Sequence, residues 1–159
     1  MDTLQKLLAI EEIKKMKARY FRGVDTKNWD LLASTLTEDV VCDYRGATTD
    51  PVTGINAAPE TTGEPLVGRK FAVDAIKSVL ATVTTVHHGY MPEIEIVDEN
   101  SATGIWSMSD TLRFPKGGDV EEIAGYGHYY DTYVRINGTW LTKTLRLPRL
   151  RVDVVFKQK

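Results

Sequence analysis

From residue 82 to residue 155 the chain is a succession of four long runs rich in β-branched and aromatic residues, which commits this half of the molecule to a sheet. The runs cover 82–97, 102–114, 121–136 and 139–155. The turn signals Asp98-Glu99-Asn100, Pro115-Lys116-Gly117-Gly118 and Asn137-Gly138 mark the breaks between them. Asn-Gly is the dipeptide best suited to a two-residue type I′ turn, so the last two runs are expected as an antiparallel hairpin. The first half has a different period. Over 3–24, Ala9, Ile13, Met16, Tyr20 and Val24 recur at steps of three and four, predicting a helix that Asp2 or Thr3 can cap. Glu11, Glu12, Lys14, Lys15 and Lys17 fall elsewhere on its cylinder. The spacing then predicts a break at 25–28, a short helix over 29–36, a strand over 40–44 and a third helix over 67–80. Between them, 46–63 reads as a long polar loop, a length usually reserved for lids and other functional segments. Helices first and antiparallel strands after give an α+β fold, its helices covering one face of a curved sheet. At 159 residues one domain, 1–159, accounts for the chain.

Several functional classes are disfavoured. A hydrophobic share of 42% with 26% charged residues is too apolar for disorder and too polar for a membrane protein. A net charge of −2 without a Lys/Arg stripe argues against nucleic acid as partner. No basic-then-apolar leader opens the sequence and no apolar run reaches membrane-spanning length, so a cytoplasmic protein is expected. Cys42, alone, makes no internal disulfide. With no CxxC or HExxH pattern, neither metal nor cofactor is expected. Acid–base chemistry by side chains remains.

Five positions could carry it. Strand alternation sets Asp110 on one face with Trp106, Met108, Leu112 and Phe114, where a carboxylate is costly unless paired or functional. A bulge, or bonds to backbone, would account for it as well. Tyr20 lies on the apolar stripe of the first helix, as a packing residue or as a hydroxyl seeking a partner. Asp25 faces the negative pole of that helix, which disfavours its charged form, unless it or Thr26 caps the next helix. Of the adjacent pair His87 and His88 only one can enter a pocket, and periodicity does not choose between them. Arg146, Arg149 and Arg151 form either a solvated or inter-subunit face or a contact for an anionic or carbonyl-bearing substrate.

The order of these pieces resembles the SnoaL-like branch of the nuclear transport factor 2-like, or cystatin-like, superfamily. The resemblance runs from Ile13 through Tyr20, Asp25 and Trp29-Asp30 to Thr85-Val86-His87-His88-Gly89. It continues over Pro92-Glu93-Ile94, Trp106, Asp110, Trp140 and Arg146-Leu147-Pro148-Arg149. It implies a cone-shaped α+β barrel enclosing a deep apolar pocket, in a homo-oligomer, commonly a trimer. Within the branch the chain resembles bile acid 7α-dehydratase, scytalone dehydratase and hexachlorocyclohexane dehydrochlorinase. That likeness places Tyr20, Asp25, His87, Asp110 and Arg149 at active-site positions. It favours His87 over His88 as base, with Asp25 orienting it. Trp106 and Tyr90 are then expected on the pocket wall, Tyr90 standing where related sequences often carry another histidine. The implied activity is a dehydratase-like lyase acting on a hydrophobic carbonyl compound. A ketosteroid-isomerase-like reaction or a non-catalytic binding role would use the same fold.

Overall fold

A computed structural model describes residues 1–58 and 63–158. Helix α1 spans Thr3–Asp25, α2 Trp29–Ala33 and α3 Arg69–Leu80. The strands are β1 Leu36–Asp43, β2 Leu66–Val67, β3 Thr84–Gly89, β4 Glu93–Ile96, β5 Ser101–Arg113, β6 Val120–Ile136, β7 Thr139–Arg146 and β8 Arg149–Phe156. The α+β reading holds: helices pack on one large, mostly antiparallel sheet. The sheet stays open, running β2-β1-β7-β6-β5-β3, and β1 meets β7 in parallel.

Two long strands form its spine. Along β5 lie β3 and β4 end to end, and along the far edge of β6 lie β7 and β8. Each expected long outer run is therefore two strands with a break. Pro92 and Pro148, which have no N–H to give a ladder, stand at those breaks. The second helix is shorter than expected and β1 begins four residues early, at Leu36. Of the predicted 46–63 loop, residues 59–62 lie outside the described residues; the rest is irregular except for a bridge between Thr49 and Asn56.

Helix α1 opens on a reciprocal cap, Asp2 accepting from the Gln5 N–H while the Gln5 side chain accepts from the Asp2 N–H, each at 2.8 Å. Its stripe Ala9, Ile13, Met16, Tyr20 and Val24 is buried as the spacing predicts, against β3, β4 and β7. Lys17, read with the polar face, is buried too. It pairs with Asp131 of β6 at 2.6 Å, beneath the aromatic cluster of Tyr20, Phe21 and Tyr129.

The loop after β1 is fastened to the sheet by Asp50. One carboxylate oxygen accepts the Val152 N–H at 2.9 Å, and the other accepts the N–H groups of Val52 and Thr53 and the Thr53 hydroxyl. These bonds, that to Val152 foremost, draw the Asp50 carboxyl from 3.8 down to about 2. A depressed folded value makes the anchor's contribution full above pH 3.8 and lost as pH falls through about 2. Asp50→Asn is accordingly expected to remove that part of the acid-unfolding curve, followed by circular dichroism. An acid titration identical to wild type would refute the anchor.

Candidate active site

The end of α1 and the middle of β3 meet at two side chains. Asp25 is the last residue of α1 and caps nothing beyond it, since the N-cap of α2 is Asn28. Instead its Oδ1 lies 2.6 Å from His87 Nδ1, and its Oδ2 accepts the His87 backbone N–H at 2.9 Å. The Thr85 hydroxyl donates to Oδ1 at 2.9 Å and accepts from Lys27 Nζ at 3.0 Å. Lys27 adopts φ 58°, a left-handed residue closing the helix. Burial works to raise the Asp25 carboxyl, but the hydrogen bonds and charge of His87 and the Thr85 bond outweigh it, leaving it below the usual carboxylate value. The helix pole, which by itself favours the opposite shift, does not decide this group.

A carboxylate at Nδ1 fixes the imidazole tautomer, with the proton on Nδ1 and the lone pair on Nε2. Phe21 stacks on the ring, centroids 6.0 Å apart. On the far side Nε2 faces Asp110 Oδ2 at 3.9 Å, too long for a hydrogen bond. Asp110 sits in an unbroken stretch of the β5–β6 ladder, so neither a bulge nor backbone bonding explains it. Its partner is Arg149, whose Nη2 reaches Oδ2 at 2.7 Å. The same guanidinium donates from Nε to the Ala47 carbonyl at 2.8 Å and sets Nη1 3.2 Å from Met108 Sδ. The side chains of His87, Asp110 and Arg149 are only 8%, 3% and 5% exposed. Two surface clefts, one beside the first turns of α1 and one between Asp50 and β8, lie apart from them.

Tyr20 completes the inner end. It is buried among Phe21, Tyr129 and Met108, and its hydroxyl is bonded to that of Tyr44. Burial, reinforced by Tyr129 and Cys42, holds the Tyr20 phenol well above its ordinary value, and burial does the same for Tyr44. Both are therefore neutral hydrogen-bond donors at any ordinary pH.

Tyr20, Asp25, His87, Asp110 and Arg149 thus gather in one place, though not all in contact. Trp106 is buried on the same face as Asp110 and donates its indole N–H to the Tyr133 hydroxyl at 2.7 Å, which locks it to the core. Tyr90 is a correction. It projects on the outer face, half exposed, stacked on His88 and bonded to Ser109, because strand alternation sends His88 and Ser109 outward where His87 and Asp110 go inward. Arg146 and Arg151 are exposed, the latter paired with Asp153. Tyr44, Tyr129 and Lys27 were missed. Alternation along β6, which sets Tyr129 with Asp131 and Tyr133, could have found the second of them. Among the described residues no group of three or more His, Cys, Asp or Glu is arranged to hold a metal ion.

Residues 5–146 match the SnoaL-like domain. The chain belongs to that family. Solved structures of the same fold include a type 2 hexachlorocyclohexane dehydrochlorinase, LinA, 21% identical over 97% of this chain and 93% of its own, with a TM-score of 0.75. A protein assigned as a scytalone dehydratase from Novosphingobium aromaticivorans is 21% identical over 99% and 94%, TM-score 0.76. The LinA-type3 dehydrochlorinase of Novosphingobium barchaimii is 20% identical over 97% and 94%, TM-score 0.74. No described helix is long and apolar enough to cross a membrane.

Proposed function

We propose that this SnoaL-like protein is a dehydratase-type lyase acting on a hydrophobic, carbonyl-bearing cyclic compound with protein side chains alone. The observation that carries the reading is the His87–Asp25 pair at 2.6 Å, with Nε2 turned towards Asp110 and bonded to no partner among the described residues. In the proposed reaction Nε2 takes a proton from the carbon beside the carbonyl, and Asp25 stabilises the imidazolium. The Tyr20 and Tyr44 hydroxyls bond the carbonyl oxygen as negative charge gathers there. The C–O bond of the β-hydroxyl then breaks, and the imidazolium returns its proton to the departing oxygen. Water leaves and the base is restored. Asp110, steadied by Arg149, orients the leaving hydroxyl, and Arg149 contacts the substrate. Elimination is also the chemistry in the names of the dehydrochlorinase and dehydratase neighbours.

A panel of hydroxy-ketones, hydroxy-enones and steroid-like compounds, followed by mass spectrometry, tests the assignment. Loss of water supports it. A new isomer of unchanged mass replaces it with an isomerase that uses the same base and donors. Silence across the panel, with ligand bound but unchanged, replaces it with a binding module. Tyr20→Phe is expected to lower turnover by about 10²–10³-fold, because one preorganised donor to the developing oxyanion is removed. Unchanged turnover would take Tyr20 out of the mechanism. The proposal extends to a cytoplasmic homotrimer joined through the outer sheet face, where Tyr126, Tyr130 and Leu150 are exposed. Light scattering tests the assembly.

A further inference from the structure

Asp110 and Arg149 belong to strands that do not touch. Asp110 is on β5, Arg149 on β8, and β6 runs between them. Neighbouring strands lie about 4.8 Å apart, so the guanidinium must cross roughly 10 Å over the inner face of β6 to reach the carboxylate. The residue it crosses is Gly125, which pairs with Asp110 on one side and Val152 on the other. Inward positions of β6 alternate as Ile123, Gly125, Gly127, Tyr129, Asp131 and Tyr133, so any side chain at 125 would enter this lane. A Cβ there would stand 2.4 Å from Asp110 Oδ1, 2.5 Å from Arg149 Nη1 and 2.7 Å from its Cζ. The lane is thus filled by the ion pair itself. It also explains why Asp110 Oδ1, though buried, has no hydrogen-bond partner among the described residues: that oxygen lies against the bare face of Gly125. Gly127 serves the neighbouring turn, its missing Cβ leaving room for the Pro148 carbonyl where the chain bends into β8.

We propose that Gly125 is a positioning residue of the site, acting through Arg149: its missing side chain keeps the guanidinium across β6, joined at once to Asp110 and to the Ala47 carbonyl. The contacts of Gly125 with Asp110 and Arg149 are the same whichever reaction the site performs.

Nitrogen-15 NMR of the arginine side chains tests it. In wild type the buried, three-way-held Arg149 is expected to give a slowly exchanging Nε–H signal, assigned by its loss in Arg149→Met. In Gly125→Ala that signal is expected to vanish while far-UV circular dichroism stays native. A native Gly125→Ala that keeps the signal overturns the proposal. Should Gly125→Ala fail to fold, thermal midpoints of the Asp110→Ala/Arg149→Met double variant with and without Gly125→Ala decide. With both occupants of the lane truncated, adding Gly125→Ala is expected to leave the midpoint nearly unchanged. A triple variant that fails to fold, or melts far below the double variant, assigns the cost to the strand backbone and overturns the proposal.

Discussion

His87→Ala is expected to lower turnover by about 10²–10⁴-fold, the span a positioned acid–base group contributes, while the fold survives. The two halves of this expectation have separate reasons. Chemistry fails because no other imidazole faces the site; His88 points outward, stacked on Tyr90. The fold survives because Asp25 is not stranded. Its carboxylate keeps the Thr85 hydroxyl and the backbone N–H of residue 87, both at 2.9 Å, and the latter does not depend on the side chain. A buried carboxylate robbed of every donor would be costly; one robbed of a single donor is not. The check is turnover by mass spectrometry beside the circular dichroism spectrum and thermal midpoint. Near-normal turnover in a folded His87→Ala protein would end the His87 assignment. The Asp25 side of the pair resists acid: its carboxyl titrates below the usual range, so the ionised form that orients His87 persists until pH falls through that lowered value.

Much of this was legible in residue order, and the rest failed for identifiable reasons. The stripe on α1 and the alternation through Trp106, Met108 and Asp110 each report one face of one element, and those faces are the ones buried. What periodicity cannot report is which strand lies beside which. Asp110 read as an unexplained carboxylate because its partner is on β8, with all of β6 between. Alternation along a single run over 82–97 does not separate His87 from His88, because the break near Pro92 resets the parity that groups His88 with Ile94. Tyr44 was invisible for a different reason. It follows β1 at the mouth of an irregular loop, where no period exists to say that it turns inward to Tyr20. Tyr90 was placed by resemblance alone, and strand parity overruled it.

Lys17→Met is expected to destabilise the fold by about 3–5 kcal/mol, the usual loss when one member of a buried ion pair is removed. Lys17 and Asp131 are 1% and 0% exposed at the side chain and 2.6 Å apart, so water cannot take the place of the ammonium. Burial lowers the Lys17 pKa, while the Asp131 charge and hydrogen bond oppose that shift. The ammonium also lies 3.8 Å from the Tyr129 ring centroid, so its loss removes a cation–π contact as well. Among the described residues, Asp131 Oδ2 would retain only the Tyr133 hydroxyl at 2.8 Å, and Oδ1 already has no partner. The loss therefore arises from the stranded carboxylate more than from the missing lysine, and a second substitution separates the two. Adding Asp131→Asn removes the buried charge yet keeps a carbonyl oxygen to accept from Tyr133, so the double variant is expected to recover most of the loss. Urea denaturation of wild type, both single variants and the double closes the cycle. If Lys17→Met costs less than about 1 kcal/mol, or the double variant is no better than the single, Lys17 and Asp131 do not form a buried ion pair. In that case Lys17 reaches solvent on the helix face where its sequence neighbours Lys14 and Lys15 lie.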